Sequence, residues 1–328
     1  MKLLVTGGLG FIGSNFILNV IQNFTNFKIT NLDDQLYGSN IKNLSDIKDS
    51  KNYQFIKGNI NDTVLIEKLI SDCDVVVNFA AESHVDRSIA NLNPFVESNI
   101  LGVSTLLNAI NKYKKKFLHI STDEVYGSLK IGSAKEDTRF NPSSPYAATK
   151  AAGELLINSF ITTYDRDCMI TRCTNNYGPR QFPEKLIPKT ILLALKNQKI
   201  PVYGNGMNIR DWIYVGDHCK AILDVLLKGK PGHSYNISSD NEIDNLTIIK
   251  QILTIMDKSF DLIEFVEDRP GHDFRYSLDS SKIRTELNWS HKVSFENGLK
   301  NTIQWYQSNQ EWWKNVEEST FNATPWKN

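Results

Sequence analysis

Short apolar runs alternate with helix-spaced stretches through the first half of the chain. Lys2-Leu3-Leu4-Val5-Thr6 reads as a strand, and Phe11 to Phe24 carries apolar residues at helical spacing. Lys28 to Leu32 and Tyr53 to Lys57 read as two further strands. Val75-Val76-Val77-Asn78-Phe79 opens with an unbroken β-branched run, the pattern of a strand covered on both faces. Lys116 to Ser121 and Cys168 to Arg172 complete the series, with helical stretches near 95–113 and 146–163 between them. Alternation of this length predicts an α/β fold, a doubly wound parallel sheet of Rossmann type with a smaller C-terminal domain. The expected division is 1–175 for the first domain, with the chain returning at about 217–238 and 279–307, and mainly 176–328 for the second. The helical runs at 217–227 and 294–307 are read as covering the sheet.

Composition narrows the class. A chain of 328 residues suits two domains and a sizeable core. Lys plus Arg and Asp plus Glu are 37 each, so the net charge of zero points to neither nucleic acid nor a membrane surface. Cys73, Cys168, Cys173 and Cys219 are scattered and read as reduced, buried thiols, with no metal site. A strand at residues 2–6 leaves no room for a signal peptide, and no apolar run approaches the ~18 residues of a membrane helix. A cytoplasmic protein is expected. The aromatic tail with Trp305, Tyr306, Trp312 and Trp313 reads as packing or a closing flap.

After the first strand comes Thr6-Gly7-Gly8-Leu9-Gly10-Phe11-Ile12-Gly13, in which Gly8, Gly10 and Gly13 have dinucleotide-binding spacing. Glycines there permit a tight turn, close approach to a pyrophosphate and close helix–strand packing, with a helix N-terminus facing the negative charge. Asp33 follows twenty residues beyond Gly13, at the end of the next strand, where it reaches ribose hydroxyls. Asp34 and Gln35 supply no arginine for a 2′-phosphate, so the expected cofactor is NAD, not NADP.

Two further groups carry chemistry. Tyr146 and Lys150 stand one helical turn apart and address one spot, where an ammonium would lower the phenol pKa and favour the phenolate. Such a pair takes a proton from an alcohol during hydride transfer. Asp123 and Glu124 end a strand-like run just upstream. A simple alcohol dehydrogenase has no use for them, whereas an enzyme that also removes a carbon-bound proton and expels water needs an acid and a base. Adjacent carboxyls suit that division, because burial and repulsion raise one pKa and leave the other group ionised.

These motifs, together with Phe79 to Ser88, Ser144 to Lys150, Arg172 to Pro179, Phe182 to Pro188, Arg210-Asp211-Trp212, Tyr235-Asn236-Ile237 and Asp268 to Asp273, closely resemble the extended short-chain dehydrogenases. Within them the resemblance is to the nucleotide-sugar 4,6-dehydratases of the dTDP-glucose type, with the Thr122-Asp123-Glu124 triplet as the discriminating element. Three departures are Asn59 where the family usually has Asp, Thr174 where it commonly has Ser, and Asp34-Gln35-Leu36 after Asp33.

The resemblance implies a homodimeric lyase that converts dTDP-glucose to dTDP-4-keto-6-deoxyglucose and water, with tightly held NAD as internal hydride carrier. UDP-glucose is the alternative substrate, since the two bases differ by one methyl. Implied catalytic residues are Thr122, on the C4 oxygen, Asp123 as acid, Glu124 as base, and Tyr146 with Lys150 for hydride transfer. Implied cofactor residues are Gly7, Gly10, Phe11, Ile12, Gly13, Asp33, Asn59, Ile60, Ala80, Ala81 and Asn99, with Tyr146 and Lys150. Ser83, Asn175, Glu184, Lys185, Leu186, Arg210, Asn245, Arg269 and His272 are implied for the substrate, the arginines on its diphosphate. His84, Asp86 and Arg87 read equally as structural. A 4-epimerase or decarboxylase of the same superfamily would keep Tyr146 and Lys150 without needing Asp123 and Glu124. A non-catalytic NAD sensor would need only the glycines and Asp33.

Overall fold

The computed structural model describes residues 1–327. Its principal sheet contains β1 (Lys2–Thr6), β2 (Lys28–Asp33), β3 (Tyr53–Lys57), β4 (Val75–Asn78), β5 (Lys116–Thr122) and β6 (Cys168–Cys173). A later strand, Ser234–Ile237, joins the edge beside β6, giving the order (Ser234–Ile237)-β6-β5-β4-β1-β2-β3 with every pairing parallel. Strand order reverses between β1 and β4, and ligands of open α/β sheets bind outside the carboxyl ends at such a point.

Alternation along the strands builds two cores. Leu3, Val5, Val75, Val77, Leu118, Ile120 and Met169 face a layer containing α1 (Phe11–Asn23). Leu4, Val76, Phe117, Cys168 and Ile170 face the opposite layer, against α2 (Thr63–Asp72) and two longer helices. That is why the strands read as continuous apolar runs: each successive side chain enters the other core. Short helices α3 (Val85–Ala90) and α4 (Asn93–Val96) follow β4. From Asn93 to Tyr113 the chain stays helical, but residues 97–102 widen into a π-helical turn before α5 (Val103–Tyr113). Helix α6 (Pro145–Tyr164) begins at Ser144, whose side chain accepts from the Ala147 N–H, with Pro145 at the first position.

The remaining chain divides its loyalties. After β7 (Asn175–Tyr177), α7 (Leu186–Leu195), β8 (Ile200–Tyr203) and β9 (Ile209–Tyr214) comes α8 (Val215–Lys228). This helix packs beside α1, burying Ile222 and Val225 in the first core, and β10 is the edge strand Ser234–Ile237. Next come β11 (Glu242–Asp244), α9 (Asn245–Ile255), β12 (Ile263–Val266), α10 (Ser281–Leu287) and α11 (Phe295–Ser308). β9 lies between β11 and β7, while β12 pairs with β8. Helix α11 departs from expectation. Residues 294–307 were expected over the large sheet, but Leu299, Ile303 and Tyr306 bury with Ile187 and Ile191 of α7 and Ile248 and Ile252 of α9. Helical periodicity identifies an apolar face without saying which layer will cover it.

Candidate active site

A single cleft opens at the carboxyl ends of β1, β2, β4 and β5, where the strand order predicts it. Its first wall is the glycine turn after β1. Gly7 has φ +72°, and a Cβ there would stand 2.5 Å from the Ala80 nitrogen. A Cβ on Gly13 would meet the Gly7 carbonyl oxygen at 2.5 Å. Gly10 caps α1 without a side-chain hydrogen bond, so the first turn of that helix presents bare backbone to the cleft. Asp33 is oriented by the N–H groups of Leu9, 2.9 Å from Oδ2, and Gln35, 2.8 Å from Oδ1. This cradle fits a dinucleotide, with the helix end for the pyrophosphate and the Asp33 carboxylate for a ribose. An acidic Asp34 beside Asp33 on the same wall disfavours a 2′-phosphate.

Gly10, Phe11, Ile12, Asn59, Ile60, Ala80 and Ala81 line the cleft with them. The Asn59 amide donates to Asp34 at 2.8 Å, and its oxygen accepts from the Asn61 N–H at 2.8 Å, leaving one N–H to offer. Asn99 is a correction. It lies in the π-helical turn, off the cleft wall, with its amide on the Glu82 backbone and the Thr149 hydroxyl. Its side chain ties the segment after β4 to α6 instead of facing a cofactor.

Thr122, Asp123, Glu124, Tyr146 and Lys150 all line the cleft. β5 ends at Thr122, whose hydroxyl caps a short helical turn over Asp123–Tyr126, and Gly127 at φ +71° lets the chain leave. That turn swings both carboxyls inward. Burial, then repulsion from Glu124, pushes Asp123 up to about 8. Burial also raises Glu124, while Arg269, Arg210 and Lys185 pull it down. Asp123 Oδ2 and Glu124 Oε2 are buried without a hydrogen-bond partner among the described residues. Unpaired polar atoms of this kind are costly, and they suit groups reserved for a ligand.

Tyr146 corrects the expectation of a lowered phenol. Burial and then the Glu124 charge raise it well above 10, opposed by the Thr122 hydroxyl. Lys150 does not offset this, because its Nζ donates to the Ile120 carbonyl at 2.8 Å and lies 3.2 Å from His119 Nε2. Burial lowers Lys150 itself to about 8. Helix α6 is held to the sheet by Glu154, one turn beyond Lys150. It accepts from Ser121 at 2.5 Å and from Arg172 Nε at 2.8 Å, buried throughout. Sequence reasoning passed over Glu154, Arg172 and His119, although Glu154 follows Lys150 at the same helical spacing as Lys150 follows Tyr146.

Of the expected substrate residues, Ser83, Asn175, Glu184 and Lys185 line the cleft; Leu186, Arg210, Asn245, Arg269 and His272 do not. Leu186 packs into the α7–α9 core, and Asn245 is the first residue of α9. His272 is held by Asp268, and Arg269 pairs with Asp86 at 2.7 Å. Arg210 is 5% exposed and donates to the carbonyls of Ile209, Asp273 and Phe274, with no carboxylate paired to it among the described residues. Both guanidinium charges act on Glu124 from behind the wall. Asp86 thus has a structural tie, while His84 Nδ1 stands 3.3 Å from Glu184 and Arg87 3.7 Å from Glu82.

The folded Asp123 carboxyl keeps its proton to about 8, whereas an unperturbed one releases it near 3.8. Between those values the folded chain binds the extra proton, so this group's contribution to stability falls as pH rises. Asp123→Asn is therefore expected to melt a few degrees above the parent at about pH 8, with a smaller gap at about pH 5. Thermal denaturation at both pH values checks this, and a variant that melts lower at both contradicts it.

Against known proteins, the GDP-mannose 4,6 dehydratase family model matches residues 4–302. A dTDP-glucose 4,6-dehydratase of Streptomyces niveus is 46% identical, the match covering 98% of each chain. The crystal structure of dTDP-glucose 4,6-dehydratase from Bacillus anthracis in complex with NAD is similar at TM-score 0.91 and 45% identity, covering 97% of this chain and 100% of that one. DesIV of Streptomyces venezuelae, a dTDP-glucose 4,6-dehydratase with NAD and TYD bound, reaches TM-score 0.95 at 41% identity with the same coverage.

Proposed function

The chain belongs to the nucleotide-sugar 4,6-dehydratase family, and from that premise we propose that it is an NAD-dependent lyase converting dTDP-glucose to dTDP-4-keto-6-deoxyglucose and water. The observation that carries the reading is the pair of buried, unpartnered carboxyl oxygens of Asp123 and Glu124 on the wall shared with Tyr146 and Lys150. An epimerase needs the second pair alone, and a sensor needs neither.

The order of events follows from the acidity of the sugar. The C5 proton of glucose is not acidic until C4 is a ketone, so oxidation must come first. Tyr146 takes the proton of the 4-hydroxyl, with Thr122 aligning the C4 oxygen, while Lys150, turned toward the Ile120 carbonyl and His119, is assigned to the nicotinamide ribose. NAD would be held on Gly7 to Gly13 and Asp33, and would supply a hydride acceptor at C4 and a hydride for C6, with a proton replaced at C5. Glu124 then removes the C5 proton. Asp123 enters protonated, as its raised pKa supports, and gives that proton to the departing 6-hydroxyl. Arg210 and Arg269 are assigned to the diphosphate, which they would reach by turning from their carbonyl and Asp86 partners, and their charge opposes the rise that burial imposes on Glu124. In this reading the enzyme is a cytoplasmic homodimer, and exposed Leu101 and Leu155 on the packed helical layer offer a face for the second copy.

Glu124→Gln tests the division of labour. Oxidation at C4 is expected to proceed while C5 deprotonation stops, so the near-ultraviolet absorbance of reduced nicotinamide rises and persists on adding dTDP-glucose. Normal turnover, or no absorbance change at all, contradicts the role.

Arg210→Ala tests the anion site. Removing a buried, charge-assisted contact is expected to weaken nucleotide-sugar binding by about 2–5 kcal/mol while leaving NAD binding unchanged. Separate calorimetric titrations with dTDP-glucose and NAD check this. Equal losses for both ligands would make Arg210 a folding residue.

A further inference from the structure

His119 is a buried titratable side chain for which the proposed chemistry has no use, yet it touches that chemistry. It points from β5 toward α6, 1% exposed, with Nε2 3.2 Å from Lys150 Nζ. Its other nitrogen, Nδ1, lies 3.0 Å from Asn78 Nδ2, and Asn78 Oδ1 accepts from the Thr6 hydroxyl at 2.6 Å. All four side chains are fully buried or nearly so, and they come from β1, β4, β5 and α6. Burial and the Lys150 charge hold the ring neutral.

A neutral imidazole has one N–H and one acceptor, and an ammonium only donates. As Asn78 is seated, its amide donates to Nδ1, so the ring proton is on Nε2 and faces Lys150. That arrangement is complete when Lys150 is a neutral amine accepting from Nε2. A half-turn of the Asn78 carboxamide reverses every direction: its oxygen meets Nδ1–H, and Nε2 accepts from the Lys150 ammonium. The row therefore has two settings, and they differ by one proton, which passes to solvent through the cleft that Lys150 lines. Other groups also bear on Lys150. Glu154 of its own helix and Cys173 of β6 favour its charged form, and burial opposes it. Among the described residues, the charge that acts on His119 is that of Lys150.

We infer that His119 is a positioning residue for Lys150, which holds the amine in place in both of its charge states by changing which ring nitrogen carries the proton while Asn78 turns to match. The catalytic meaning of this device rests on Tyr146 and Lys150 being the hydride-transfer pair. With Lys150 poised at about 8, both settings are populated in the range where the enzyme would work. A hydrocarbon at position 119 would leave the neutral amine no donor and the ammonium one acceptor fewer, so the charge of Lys150 would no longer be matched by its surroundings.

The test uses the full chain labelled with nitrogen-15 in its histidine rings, His119 being assigned by its loss in His119→Gln. Expected is a ring that stays neutral and exchanges the Nδ1–H pattern of shifts for the Nε2–H pattern as pH rises through about 8, a change that Lys150→Met abolishes. One fixed tautomer from about pH 6 to about pH 10 overturns the inference. In rapid-mixing experiments, His119→Leu is expected to move the pH midpoint of the first hydride transfer by about one unit. His119→Gln, whose side-chain amide reaches the place of Nε2, restores it. A parental midpoint in His119→Leu overturns the inference too. The ring measurement needs no substrate, so it decides this point even if the protein fails to oxidise dTDP-glucose and the functional reading falls.

Discussion

Two carboxyl groups on adjacent residues, each with one buried oxygen that lacks a partner among the described residues, set the terms for everything around them. Burial is the largest influence on both Asp123 and Glu124 and raises both, and the Glu124 charge raises Asp123 further, to about 8. Arg269, Arg210 and Lys185 oppose the rise at Glu124, whereas at Asp123 the opposing guanidinium is that of Arg210. Two adjacent carboxyls with differing surroundings are what the proposed reaction calls for, since elimination of water needs an acid and a base and simple alcohol oxidation does not.

That arrangement works only if the Tyr146 helix keeps its register against β5. The clamp is the buried trio of Ser121, Glu154 and Arg172, which fastens α6 to β5 and β6 one turn beyond Lys150. Breaking a buried ion pair of this kind leaves an uncompensated charge, at a cost of about 3–5 kcal/mol. The site residues thus sit on a frame of strands and one long helix whose mutual register this trio fixes. The same frame explains why Lys150 faces the Ile120 carbonyl and His119 and leaves Tyr146 with a raised pKa.

Much of this was legible in the residues. The glycine spacing, the distance to Asp33 and the apolar runs specify the sheet and its ligand end, because each depends on local backbone geometry and on alternation of side chains. The proximity of Thr122, Asp123, Glu124, Tyr146 and Lys150 was legible for a similar reason: strand ends in this fold converge on one edge. What escaped was burial and three-dimensional partnership. Nothing local in the Phe295–Ser308 helix says that its apolar face meets α7 and α9 and not the large sheet. Asn99 looks like a cofactor ligand until its amide is seen committed to Glu82 and Thr149. The pull of an ammonium on a phenol one turn away was plausible from spacing, yet desolvation proved the larger effect.

In the proposed reaction hydrogen leaves C4 of the sugar and returns to C6 of the same molecule, while the chain's own acid and base remove water between the two events. dTDP-glucose carrying deuterium at C4 tests it most directly, with the product read by mass spectrometry and NMR. Expected is a 4-keto-6-deoxy product that carries the deuterium in its C6 methyl group, with a C5 hydrogen drawn from solvent. Deuterium lost to water, or a product that keeps its 6-hydroxyl, would contradict it.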